Sequence, residues 1–157
     1  MVKYIDGDLF TAPGLDAICH QANCFKRMRS GIARCIGELR PEAVVADLEH
    51  PGEPFERLGS FTVAICHGAN FAPQLVFNLY GQFNYGTDSL KTDYAALKSA
   101  ILKMKKEMEI RFRCQCVVGI PHGIGCGLAG GDWVIVDRII NDVFSDGVVD
   151  AVVVKKA

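Results

Sequence analysis

The stretch Pro121-His122-Gly123-Ile124-Gly125-Cys126-Gly127-Leu128-Ala129-Gly130-Gly131-Asp132-Trp133 decides how this chain is read. It follows an apolar run, Cys116-Val117-Val118-Gly119-Ile120, and precedes a pattern of helical period. Five glycines in the nine positions 123–131 leave a loop with few side chains. Its backbone N–H groups are free to face a ligand, and the helix behind it adds the positive end of a dipole. Strand, glycine loop and helix N-terminus together describe a site for phosphate or pyrophosphate. An ordinary turn needs only one or two glycines, so turn formation alone does not account for the stretch.

Outward from this loop, strands and helices alternate. Strands are expected over residues 2–6, 16–22, 60–66, 75–80, 116–120 and 149–154. A helix over 31–39 stops at Pro41, a short one follows over 42–48, and 50–57, with Pro51, Gly52 and Pro54, reads as a surface loop. The longest helix spans about 90–109, with Tyr94, Leu97, Ile101, Met104 and Met108 on one core-facing stripe. The last helix covers 132–144, with Asp132 as its N-cap. This order predicts a three-layer α/β/α domain with a central mixed or mostly parallel sheet, one domain over 1–157. In such sheets ligands collect beyond the carboxyl ends of strands, here after 16–22 and after 116–120.

Composition sets limits. Half of the residues are apolar and 22% are charged, as in a soluble globular protein. The net charge of −1 gives no electrostatic footprint for nucleic acid or a membrane surface. An anionic ligand must therefore be held by local groups. No run is long enough to cross a bilayer, and the first residues are charged and strand-like, unlike a secretory signal. The seven cysteines are an odd number, mostly in apolar segments, which favours reduced thiols in a cytoplasmic protein. Cys114-Gln115-Cys116 lacks a second ligand pair for zinc, and neither a metal nor a cofactor is expected. Nothing marks a partner surface, so a monomer is the default.

Two chemistries suggested by the loop fail on position. Gly125-x-Gly127-x-x-Gly130 matches the dinucleotide fingerprint, but only one helix and one strand follow. The acidic residue about twenty positions on is Asp150, which begins a strand rather than ending it. Cys126 before a helix suggests an activated thiolate. A Cys-x5-Arg phosphatase pattern is absent, because Asp132 stands where the arginine belongs.

Three motifs in order carry a family resemblance over nearly the whole chain. They are Gly7-Asp8-Leu9-Phe10, Asp16-Ala17-Ile18-Cys19-His20-Gln21-Ala22-Asn23, and the glycine loop. Together they resemble a macrodomain, the ADP-ribose-binding module. The resemblance implies that Asp8 accepts the adenine amino group and that the backbone at Leu9 approaches the pyrophosphate. It implies that Asn23 binds the distal ribose. Gly123, Ile124, Gly125, Cys126, Gly127, Leu128, Ala129 and Gly130 would form one phosphate loop, and Ser30, Gly31 and Ile32 the other. Where many macrodomains carry a run of glycines, this chain has Arg27-Met28-Arg29-Ser30-Gly31, whose two arginines are candidates for a phosphate or for solvent. Gln82 and Asn84 would reach the distal ribose from another strand end.

The Ile124-Gly125-Cys126-Gly127-Leu128 segment is similar to the branch holding terminal ADP-ribose glycohydrolases and ADP-ribose 1″-phosphate (Appr-1-p) phosphatases. Bacterial and phage relatives with a Gly-Leu-Ala-Gly-Gly-Asp-Trp loop are described as phosphatase-like. Glycohydrolases of that branch pair a lysine with an aspartate just after Gly-Cys-Gly-Leu. Here Ala129 holds the aspartate position and 80–86 contains no lysine, so that mechanism does not carry over. The expectation is a hydrolase removing the 1″-phosphate, with Asn23, His20 and Arg29 as catalytic candidates and His122 as a lesser base. The alternatives are a non-catalytic reader of free or protein-linked ADP-ribose, and an ADP-ribosyl hydrolase of non-standard mechanism.

Overall fold

The computed structural model describes residues 2–157. Its strands are β1 (Val2–Gly7), β2 (Ala17–Asn23), β3 (Phe61–His67), β4 (Pro73–Gln82), β5 (Val117–Pro121) and β6 (Asp150–Lys156). The helices are α1 (Gly31–Leu39), α2 (Pro41–Leu48), the single turn α3 (Pro54–Arg57), α4 (Tyr94–Arg111) and α5 (Trp133–Val143). The strands form one sheet in the order β1-β6-β5-β2-β4-β3. Every neighbouring pair is parallel except β3 with β4. The expected three-layer mixed architecture is the one observed.

β2 and most of β4 are buried because both faces of the sheet are covered, and their polar side chains His20, Gln21, Gln74 and Asn78 are hydrogen-bonded within the fold. α4 and α5 cover one face, where Leu97, Ile101, Met104, Met108, Val136 and Ile140 meet Phe77, Val118, Ile120 and Val153. The predicted α4 stripe is core, and each such side chain contributes roughly 1.5–3 kcal/mol by leaving water. α1, α2 and the segment 8–15 cover the other face through Ile36, Ala43, Leu9 and Leu15.

Two boundaries depart from the periodicity. α4 begins at Tyr94 rather than near 90, because Asp93 caps it by accepting from Ala96 N at 3.0 Å. Thr92, just before, is held extended by a bridge to Gln82. The loop 50–57 contains α3, whose first turn is closed by a reciprocal capping box between Glu53 and Glu56.

This topology makes a crevice. β2 and β5 are neighbours, with Ala17 paired to Val118. The helix after β2, α1, lies on one face, and the helix after β5, α5, lies on the other. Chain paths that part in this way open a gap beyond the carboxyl ends of the two strands.

Candidate functional site

A cleft of about 680 Å³ fills that gap. Its walls are the end of β2 (Gln21–Asn23), the loop into α1 (Arg27, Arg29 and Ser30), the first turn of α1 and the segment 121–129. Gln82, Tyr85, Gly86 and Thr87, after β4, close one end. Two arginines line it and no carboxylate does, so the cleft is locally cationic although the whole chain carries −1.

The glycine segment folds with its carbonyls turned inward. Pro121 O accepts from Ile124 N, Gly123 O from Cys126 N, and Gly127 O from Gly130 N, at 2.8–3.0 Å. Gly125 O accepts from Gly131 N at 2.8 Å, and Ala129 O from Lys91 N at 2.8 Å. In contrast, the N–H groups of Gly123, Gly125, Gly127, Leu128 and Ala129 have no partner among the described residues, and all five residues line the cleft. Glycine is required at Gly123 and Gly125, whose φ values are +79° and +73°. A Cβ at Gly131 would stand 2.5 Å from Gly125 O, so no side chain fits there either.

Across the cleft, α1 starts without a side-chain cap. Ser30 has extended dihedrals, yet its hydroxyl caps nothing, which leaves the first N–H groups of the helix at Gly31, Ile32 and Ala33 open to the cleft. A Cβ on Gly31 would meet Leu128 Cδ1 at 3.5 Å, so the two N–H-bearing elements come into contact at one edge. Facing sets of unpaired donors with adjacent guanidinium groups are suited to a ligand with more than one anionic oxygen.

Asn23, 8% exposed, organises the loop beside it. Its amide donates to Arg27 O at 2.9 Å and its Oδ1 accepts from Phe25 N at 2.9 Å. One N–H and one lone pair remain for a ligand. Arg27 donates to Tyr85 OH at 2.7 Å and lies 4.6 Å over the Tyr85 ring, while Phe25 meets Phe83 edge-on with ring centroids 5.0 Å apart. The loops after β2 and β4 are thus clasped together.

The structure brings Asn23, Arg29, Ser30, Gly31, Ile32, Gln82, Gly123, Ile124, Gly125, Gly127, Leu128 and Ala129 to one cleft. It does not bring His20 there. The His20 side chain points into the fold, is fully buried, and hydrogen-bonds Asn78 Oδ1 at 2.6 Å. Burial pushes its pKa down to about 4, despite the opposing hydrogen bond to Asn78. Contrary to the sequence expectation, His20 is not placed to act as a base on a ligand in the cleft, because its ring is enclosed in the fold and is not part of the cleft lining.

Asp8 is exposed and lies outside the cavity, where Oδ1 accepts from Phe10 N at 2.8 Å and closes a turn. The Leu9 side chain is core, 5% exposed, so only its backbone remains for a ligand. Cys126 packs against the α4–α5 core, and burial raises its thiol pKa, the opposite of an activated nucleophile. Gly130 sits behind the cavity in a turn with φ +75°. Asn84 lies outside the lining, its Oδ1 accepting from Tyr85 N. Asp132 is the α5 cap, accepting from Val134 N at 2.9 Å.

Gln21, Thr87 and Thr92 are among the residues that the sequence did not mark as site residues. Gln21 lines the cleft, and Thr92 supports it from beneath. Gln21 shares β2 with the polar residues His20 and Asn23, so polarity alone did not single it out, and Thr92 left no signal. Among the described residues no group of three or more histidine, cysteine or acidic side chains is arranged to hold a metal ion. No helix among the described residues is long and apolar enough to cross a membrane.

No protein-family model matches the chain. A 17.5 kDa protein from the tk-vs intergenic region of Enterobacteria phage T4 is 31% identical over 144 residues, 90% of this chain and 88% of that protein. The macrodomain of Mycobacterium tuberculosis DarG matches with a TM-score of 0.74 at 22% identity, over 99% of this chain and 97% of that one. Thermosipho africanus DarTG, solved in complex with ADP-ribose, matches with a TM-score of 0.71 at 16% identity, over 98% of this chain and 41% of that one. The structural matches give the fold and the phage relative gives the family: the chain is a macrodomain in fold and belongs to one family with the T4 17.5 kDa protein.

Proposed function

We propose that the protein binds ADP-ribose, with the pyrophosphate between the glycine segment and the N-terminus of α1. The observation that carries this reading is the facing pair of unpartnered N–H sets in a cleft with two arginines and no carboxylate. Such donors neutralise a doubly charged pyrophosphate without mobile counter-charges. The DarTG structure holding ADP-ribose shares the fold and supports the choice of ligand. In this reading Asn23 and Gln82 meet the distal ribose. Asp8, with one oxygen engaged in its turn, offers the other to the adenine amine. Reduced thiols, all seven of them unpaired, fit a cytoplasmic setting.

A second reading is hydrolysis of a phosphate on the distal ribose, as in ADP-ribose 1″-phosphate. The observation favouring it is that Arg27 and Arg29 add positive charge beside the α1 N-terminus, beyond what the glycine segment supplies to a pyrophosphate. Those groups would stabilise charge on a transferring phosphoryl group. With His20 buried, His122 is the one histidine in the cleft lining and no carboxylate stands there, so binding without turnover is the reading the geometry supports best. Phosphorus NMR of ADP-ribose 1″-phosphate with the protein separates the two. Perturbed pyrophosphate signals without free phosphate are expected for a reader. Inorganic phosphate accumulating over many turnovers would establish the phosphatase instead.

A further inference from the structure

Beneath the cleft floor lies a directional chain of hydrogen bonds. Gln21 Nε2 donates to Gln82 Oε1 at 2.9 Å and to Thr92 Oγ1 at 2.9 Å. The Thr92 hydroxyl spends its one proton on Gly125 O, the same carbonyl that accepts from Gly131 N. The backbone N–H groups of Lys91 and Thr92 both donate to Ala129 O. The segment 91–92 therefore fastens the glycine segment at two carbonyls four residues apart.

The molecule makes room for this arrangement. A Cβ on Gly125 would stand 2.9 Å from Gln21 Oε1, and a Cβ on Gly81 would collide with the same atom. Gln21 is 8% exposed, and its Oε1 is buried with no partner. Leaving a buried acceptor unsatisfied has a cost, and a Leu or Met at 21 would avoid it. Retention of an amide here is explained by what its two donors do. They hold the Thr92 hydroxyl with its proton toward Gly125, and they turn the Gln82 amide so that its nitrogen lies away from Gln21, donating to Asn84 O at 2.8 Å.

Resting on the reading that the cleft holds a pyrophosphate, we propose that Gln21 and Thr92 are the positioning residues of the anion site. Thr92 pins the Gly125 and Ala129 carbonyls inward, and the intervening N–H groups of Gly127 and Leu128 are thereby aimed at the ligand. Gln21 fixes the direction of the Thr92 hydroxyl and presents Gln82 to the ligand as a donor. Neither residue needs to touch the ligand.

The test is Thr92→Val, which keeps the shape and removes the hydroxyl, beside Thr92→Ser, which restores it. ADP-ribose affinity is measured by calorimetry and adenosine, which lacks the pyrophosphate, by NMR titration. Thr92→Val is expected to weaken ADP-ribose by about tenfold or more, a pinned donor set being worth more than one ordinary hydrogen bond. Thr92→Ser should stay within about threefold of wild type, and adenosine should bind all three alike. Should Thr92→Val not fold, Thr92→Ala takes its place in the same comparison. Wild-type binding with Thr92→Val equal to it overturns the positioning role and leaves the ADP-ribose reading intact. Equal loss of ADP-ribose and adenosine also overturns it, since a general loosening of the fold would then suffice. No ADP-ribose binding by wild type overturns the functional reading and this inference with it.

Discussion

The two loops that flank the cleft reach the same end by opposite means. The segment 121–131 is almost all backbone, and its carbonyls are tied inward to one another and to the segment 91–92. The segment 24–30 is almost all side chain, held by Asn23, by the Arg27–Tyr85 contact and by Phe25 against Phe83 and Tyr85. In the proposed reading the backbone loop fixes where the anion sits, because peptide groups anchored at both ends have no rotamers to lose. A side-chain loop supplies charge and selectivity, at the cost of ordering long arginines. The first should be intolerant of substitution and the second adjustable.

The comparison breaks most visibly at Gly127. Nothing lies within 4 Å of a Cβ there, so Gly127→Glu leaves the fold intact and places a carboxylate among the donors. ADP-ribose affinity should fall by at least about a hundredfold through like-charge repulsion, with Tm near that of wild type. Calorimetry with a thermal melt reads both quantities, and retained affinity would remove the backbone loop from the site.

Asn23→Ala should come next, at about tenfold, since it frees Arg27 O and Phe25 N and takes away the contact proposed for the distal ribose. Arg29→Ala should cost about threefold, because an exposed charge in high dielectric contributes modestly. That loss should shrink as salt rises, while the Gly127→Glu loss persists. If Arg29→Ala proves as damaging as Gly127→Glu at all salt concentrations, the division of labour between the loops is wrong.

The smallest effect on the ligand belongs to His20. Its replacement by Asn should leave ADP-ribose affinity within about twofold, because the site lies outside the cleft. Stability is where it should act. The unfolded imidazole binds a proton near 6.5, whereas the buried one resists until about 4, so the unfolded state holds more protons in that window. Wild type should lose stability as pH falls from about 6.5 toward about 4, and His20→Asn should lose less. Denaturant titrations at several pH values measure the difference. Identical slopes would show that His20 does not remain neutral in the fold.

Much of this was legible in the residues. Period and turn chemistry located all six strands and the long helices, because short apolar segments such as Ala17–Cys19 in β2 and Leu75–Phe77 in β4 mark the buried strands and α4 leaves a stripe. The glycine segment announced itself because glycine is the only residue that permits that backbone path. Side-chain direction was the limit. His20 and Gln21 are adjacent on β2, yet strand alternation sends His20 under α2 toward Asn78 and Gln21 toward the cleft. The sequence motif contains both and does not say which faces which way. Thr92 was silent for a different reason: its partners, Gln21 and Gly125, are 71 and 33 residues away. Only the folded path brings a hydroxyl to a carbonyl at that separation.

The central claim is that unpaired backbone donors on two elements meet one dianionic group. Amide-resolved NMR of the 15N-labelled protein, titrated with ADP-ribose, tests it directly. The account predicts that the largest shifts fall on Gly123, Gly125, Gly127, Leu128 and Ala129 together with Gly31, Ile32 and Ala33, and that they saturate as one binding event. Unshifted amides at both elements in saturating ADP-ribose would contradict it.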